Sequence, residues 1–287
     1  MNSSKFLVPT NGKFRLKDHS PAFTDGYKNK AHAETQLSKN IDRLSNLQER
    51  LYAQNTYGVL IILQAMDTAG KDGVIEHVMS GVNPQGVDVF SFKAPTTYEL
   101  DHDFMWRSLR VLPERGKMGI FNRSYYEEVI VTKVHPEILE AERIPTIAKG
   151  AHLWNERYED INNIERYLVR NGIIVLKFFL HLSRAEQKGR LLERIETPEK
   201  NYKMSVADIT ERAHWKAYMT AYEEMLRNTS TEWAPWHVIP ADHKWFTRIS
   251  VSDTIIQKLE SLKLTFPTLD KQGIRNLRTA KRILEKD

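Results

Sequence analysis

The sequence predicts an α/β protein of three-layer α/β/α build, with a central parallel sheet between helices. Two largely apolar runs, Val59-Leu60-Ile61-Ile62-Leu63 and Ile173 to Leu180 (interrupted only by Lys177), do not alternate, as expected of strands covered on both faces. Segments of helical periodicity lie around and between them, so strand and helix alternate along the chain. The first run also leads through a turn holding Gly70, Lys71 and Gly73 into Val74-Ile75-Glu76-His77-Val78-Met79, which has the pattern of a helix start.

In chain order, residues 1–33 carry Gly12, Pro21 and Gly26 without a sustained period, which predicts an extended arm on the surface. Leu37, Ile41, Leu44, Leu47 and Leu51 predict an amphipathic helix over 34–54. After the Gly-Lys turn and its helix come a turn at Gly81-Val82-Asn83-Pro84-Gln85-Gly86 and an alternating strand at 87–92. A loop around Lys93 follows at that strand's carboxyl end, then a helix over 99–112 stopped by Pro113. Lys117 to Phe121 is a short strand, Pro145 to Arg170 a long helix, and Ile173 to Leu180 the second buried strand. Helices are expected at 184–195, 207–227 and 247–262, with a last short strand at 236–240. The tail 270–287 carries Lys271, Arg275, Arg278, Lys281, Arg282 and Lys286 among Ile274, Leu277 and Leu284, spaced as an amphipathic basic helix. The boundaries are an arm at 1–33, one domain at 34–269 and a basic tail at 270–287.

Composition narrows the class. An apolar fraction of 41% supports a substantial core, and no run approaches the ~20 apolar residues of a membrane span. With no cysteine, disulfides, thiolate catalysis and cysteine-bound zinc are excluded, which suits a reducing cytoplasm. A net charge of +5 fits a polyanionic partner or none in particular.

Three stretches carry chemistry. In the first, strand, Gly-Lys turn and helix form a phosphate cradle: Thr68, Ala69, Gly70, Asp72 and Gly73 supply backbone N–H groups, and Lys71 adds a full charge. The usual pattern G-x-x-x-x-G-K-[ST] is incomplete, with Ala65 at the first glycine and Asp72 at the hydroxyl position, so a plain strand–loop–helix connection competes. Asp67 is the residue such a plain loop would not need. A carboxylate beside phosphates serves as a metal ligand or as a partner for the attacking group. In the second stretch, Asn122 and Arg123 end a strand with Glu127 four residues on, either a site edge or a surface ion pair at helical spacing. In the third, 183–212, Ser183 and Glu186 form a capping box, Arg190 and Arg194 share a helix face, and Lys200 and Lys203 follow Pro198. This is the pattern of a lid closing over transferring phosphates. Its intermixed Glu186, Glu193, Glu196 and Glu199 equally suit a solvated charged helix.

Together these segments resemble polyphosphate kinase family 2. The resemblance rests on Met66-Asp67-Thr68-Ala69-Gly70-Lys71-Asp72-Gly73, on Gly81-Val82-Asn83-Pro84, on Phe121-Asn122-Arg123-Ser124-Tyr125-Tyr126-Glu127-Glu128-Val129, and on the run from Ser183 to Lys200. It spans about Leu37 to Leu262 in family order. It implies a P-loop kinase fold related to thymidylate kinase, with a helical lid at 183–212. It also implies reversible, magnesium-dependent transfer of the terminal phosphoryl group of inorganic polyphosphate to AMP and ADP or GMP and GDP, with manganese as a substitute metal.

Carried over by position, Asp67, Lys71, Arg123, Glu127 and Arg194 are catalytic; Arg190, Lys200 and Lys203 line a polyphosphate channel; Asp67, Asn122 and Glu127 surround the metal. Many members have Asp where Asn122 stands, and Glu127 resembles the subgroup acting on both mono- and diphosphates. The same resemblance implies a homodimer or homotetramer. Composition and an N-terminus, Met1 to Phe6, without the apolar core of a secretory signal predict a cytoplasmic protein, with neither nucleic acid nor membrane expected as partner. An ATP-dependent nucleoside monophosphate kinase and a non-catalytic polyanion-binding module are the alternatives.

Overall fold

The computed structural model describes residues 3–27, 29–145 and 152–286, the side chains of Lys203 and Ala207 excepted. In chain order the elements are α1 (Lys30–Gln54), β1 (Gly58–Ala65), α2 (Lys71–Val78), β2 (Val87–Ser91), α3 (Thr97–Leu100), α4 (Trp106–Leu109), β3 (Met118–Asn122), α5 (Glu127–Val134) and α6 (Ile138–Ala141). They continue with α7 (Leu153–Arg170), β4 (Ile173–His181), α8 (Arg184–Glu196), α9 (Val206–Ala213), α10 (Trp215–Thr229), β5 (Trp236–Pro240), α11 (Lys244–Ser261) and α12 (Lys271–Leu284).

All strand pairs are parallel, in the order β2-β3-β1-β4-β5. β1 lies in the middle and is buried along its whole length, which explains its continuous apolar run. Its side chains alternate between two cores. Val59, Ile61 and Leu63 pack with α1, α2 and α11 on one face, and Leu60 and Ile62 with α5, α7 and α10 on the other. This is the expected three-layer arrangement, and it brings the carboxyl ends of β1 and β3 side by side, with Leu63 paired to Asn122.

Several local expectations are corrected. The helix expected over 99–112 is two short ones, α3 and α4, because Asp103 Oδ1 accepts from Met105 N and starts a new turn. The helix expected over 207–227 breaks between α9 and α10 at His214. Of the helix expected over 145–170, residues 153–170 are observed, and 146–151 lie outside the described residues. The arm does more than cover surface. Leu7 bridges His237 antiparallel, Val8 N donates to Trp236 O, and Phe6, Val8, Phe14 and Leu16 are buried. It thereby closes the β5 edge of the sheet, which would otherwise expose unpaired backbone groups. Among the described residues, no helix is long and apolar enough to cross a membrane.

Candidate active site

Between Ala65 and Lys71 the chain turns through two residues in the left-handed region, Thr68 at φ 66° and Gly70 at φ 101°. Glycine adopts that region freely, whereas a threonine held there costs about 1–3 kcal/mol. The Thr68 hydroxyl is buried without a hydrogen-bond partner among the described residues. Strain and an unsatisfied buried donor are costs that a purely structural turn has no reason to retain.

Lys71 opens α2 and is 9% exposed. Its Nζ donates to Ala65 O at 3.0 Å and reaches Met66 O at 3.5 Å. Burial lowers its pKa and Arg123 adds to that, while Asp67, Glu127 and Asp72 oppose. Of its three donors, one makes a good bond, so the ammonium retains capacity for an anion.

At the end of β3, Arg123 is also left-handed, at φ 65°. Its N–H donates to Leu63 O at 3.1 Å, tying the turn to β1. Its guanidinium lies between two carboxylates: Nη2 donates to Asp67 Oδ1 at 2.8 Å and Nη1 to Glu127 Oε2 at 3.3 Å. Burial disfavours its charge, but Glu127 and Asp67 outweigh that and hold its pKa above the ordinary arginine value. Asn122 Nδ2 donates to Asp72 Oδ1 at 2.7 Å, a second link between the two strand ends. Asp67, Lys71, Asp72, Asn122, Arg123 and Glu127 therefore form one cluster of cations and carboxylates, suited to phosphate oxygens and a hard metal ion.

The lid residues divide. Arg190 on α8 departs from the expected channel position: it is 4% exposed and engages backbone carbonyls. Nη1 donates to Thr68 O (3.0 Å) and Ala69 O (3.1 Å), Nη2 to Ala241 O (2.6 Å) and Asp242 O (3.1 Å), and Nε to Glu186 Oε1 (2.8 Å). Five donors meet five acceptors, so Arg190 shapes the cradle from beneath and has none left for a polymer. The capping box is half formed for the same reason. Ser183 Oγ accepts from Glu186 N, but the Glu186 carboxylate pairs with Arg190. Arg194 lies one helical turn on, half-buried, and Lys200 pairs with Glu193. The side chain of Lys203 lies outside the described residues.

Three further residues at the site have no site role in the sequence reading, which places Tyr222 in the helix core and Gln187 only within the resembling run. Gln187 Nε2 donates to Asp67 O at 3.1 Å, while its Oε1 accepts from Arg212 Nη1 at 2.7 Å, joining the base of the lid to the cradle. Tyr218 and Tyr222 on α10 are buried beside the carboxylates. Burial raises both phenol pKa values, with a hydrogen bond to Glu211 next for Tyr218 and the charge of Glu127 next for Tyr222. Their four-residue spacing marks a core stripe, and nothing local reveals that the stripe ends at Glu127 and Asp67.

Residues 27–267 match the family model described as polyphosphate kinase 2 (PPK2). The chain belongs to the polyphosphate kinase 2 family. An "ADP-polyphosphate phosphotransferase" of Rhodopseudomonas palustris is 53% identical over 242 residues, covering 84% of each chain. An "AMP/ADP-polyphosphate phosphotransferase" of Meiothermus ruber is 41% identical over 264 residues, covering 92% of this chain and 95% of the relative. The crystal structure of polyphosphate kinase 2 from Arthrobacter aurescens superposes with a TM-score of 0.88 at 38% identity, covering 98% of this chain and 97% of that one. The P-loop kinase fold expected of a polyphosphate kinase 2 is thus the fold observed.

Proposed function

We propose that this polyphosphate kinase 2 is a polyphosphate-dependent nucleotide phosphotransferase that accepts both nucleoside mono- and diphosphates. The observation that carries this reading is Arg123, held between Asp67 and Glu127 next to the Lys71 cradle. In the transfer, an acceptor phosphate oxygen attacks the terminal phosphorus, the bond to the bridging oxygen breaks, and the polymer leaves one unit shorter as an oxyanion. Charge on the transferring group is neutralised by Lys71 and Arg123, and Arg194 joins as the lid closes. Lys200 and Lys203 serve the channel, whereas Arg190 acts by holding the cradle's shape.

Magnesium, or manganese in its place, fits the donor set. Among the described residues no three of His, Cys, Asp or Glu converge on a metal cage. Magnesium ordinarily takes one or two carboxylates and completes its shell with water and substrate phosphates. Asp67 and Glu127 would hold it, and Asn122, whose amide nitrogen is engaged by Asp72, offers its oxygen. When bound, the ion supplies further neutralisation between phosphates.

Glu127 supports the broad-acceptor reading, while the Rhodopseudomonas relative's name favours ADP alone. The deciding experiment incubates the protein with Mg²⁺, long-chain polyphosphate and AMP, GMP, ADP or GDP, and follows products by chromatography. ADP and ATP formed from AMP support broad acceptance. ATP from ADP but no product from AMP leaves the ADP-only reading. ADP from AMP only when ATP is the donor overturns polyphosphate as substrate. We further propose a cytoplasmic homodimer or homotetramer. In its support, α12 and its approach expose Phe266, Leu269, Leu277 and Leu284, an apolar stripe suited to a second copy.

A further inference from the structure

Behind the Arg123 turn, on the sheet face opposite α1, is a group of buried polar side chains that the transfer reaction does not use. Lys177, in the middle of β4, and Glu165, on α7, are both fully buried and pair at 2.6 Å. Lys177 Nζ also donates to Tyr126 Oη at 2.9 Å and to Thr229 O at 2.6 Å, so its three donors are all engaged. The other Glu165 oxygen, Oε1, accepts from Tyr125 Oη at 2.9 Å and from Tyr126 Oη at 2.7 Å. Those two tyrosines stand between Arg123 and Glu127 in the chain. The segment therefore enters the site at Arg123, descends into the core at Tyr125-Tyr126, and returns to the site at Glu127.

We infer that the Lys177–Glu165 pair is a positioning device that fixes Arg123 and Glu127 through the two tyrosine hydroxyls. This rests on the proposed role of Arg123 and Glu127 in phosphoryl transfer. Two physical arguments support it. Arg123 holds a left-handed backbone, a conformation that persists only where neighbours over-determine it. Its neighbours do so: Ser124 Oγ accepts from Gln64 Nε2 (3.1 Å) and Tyr126 N (3.2 Å), and the tyrosine hydroxyls anchor the next turn. Second, a buried ion pair is weak evidence for stability, since a well-packed apolar replacement is often neutral or better, whereas its directional bonds do specify one geometry. Arg123 must contact Asp67 and Glu127 simultaneously, so a displacement of the turn by even an ångström would misplace both contacts.

The test is the apolar quadruple variant Tyr125→Phe/Tyr126→Phe/Glu165→Leu/Lys177→Met, which removes the network while keeping side-chain volume. Melting temperature, steady-state kinetics with polyphosphate, and amide hydrogen exchange are measured on variant and wild type. The expected result is a folded protein with exchange accelerated across residues 123–128, kcat lowered tenfold or more, and KM for nucleotide within about threefold. A folded variant with wild-type kcat and wild-type exchange overturns the inference. Should the quadruple variant fail to fold, Tyr125→Phe is read by the same two criteria, because it removes one hydroxyl and leaves the ion pair intact. Exchange does not depend on turnover. An inactive wild type would refute the functional reading, while faster exchange at 123–128 would still support the positioning.

Discussion

Lys71 and Lys177 are the two buried lysines among the described residues, and they have opposite surroundings. Lys177 is enclosed by Glu165, Tyr126 and Thr229, with every donor engaged. Lys71 has one good bond to Ala65 O and a long one to Met66 O, with no carboxylate within 4 Å among the described residues. Burial lowers both pKa values; the nearby opposition is Glu165 alone for Lys177 and the more distant Asp67, Glu127 and Asp72 for Lys71. A charge whose partner is built in specifies structure. A charge buried without one is placed to meet a substrate anion.

The contrast can be broken by substitution. Lys71→Ala should lower turnover about 10³-fold while leaving the melting temperature within a few degrees; near-normal turnover in a folded variant would erase the distinction. Lys177→Ala should do the reverse, destabilising the fold by about 3–5 kcal/mol, since Glu165 would be left buried and unpaired. A urea midpoint unchanged from wild type would show that Glu165 is satisfied without it.

The structural region should also carry a pH signature. His237, buried beside Lys177 with Nδ1 3.3 Å from Lys177 O, has its pKa pushed down from 6.5 to about 4, chiefly by burial. Between those values the unfolded chain binds a proton that the folded chain refuses. Stability therefore falls as pH drops through that window, by about 3 kcal/mol at pH 4. His237→Asn should flatten this part of the urea-midpoint profile, and an unaltered slope would assign the effect elsewhere. Smallest of the four, Arg194→Ala should lower kcat about tenfold with nucleotide KM within about twofold, because lid charges act on the closed state. A raised nucleotide KM with kcat unchanged would make Arg194 a ground-state binding residue.

Much of this was legible in the sequence because burial imposes periodicity. The interior strands β1 and β4 read as predominantly apolar runs, with β4 interrupted only by Lys177 between Ile173 and Leu180, since both of their faces are covered, and the expected limits of β5 are the observed ones. The cradle was legible because strand, Gly-Lys turn and helix are contiguous, and Arg123 with Glu127 because they are four residues apart. Arg190 was misplaced for a physical reason. On a helical wheel it is a twin of Arg194, and only the fold brings the carbonyls of residues 68, 69, 241 and 242 around its guanidinium.

The sequence by itself determined the layering, the family and the two loops that meet at the site, all of which rest on local pattern or contiguous motif. The tertiary structure alone decided which charges face substrate and which face the core. It also decided that Gln187 holds the Asp67 carbonyl, that Tyr218 and Tyr222 lie beside the carboxylates and that the arm seals the β5 edge. Those outcomes depend on strand order and helix docking, which bring together residues tens to hundreds of positions apart, and no local pattern encodes the partner of a buried charge.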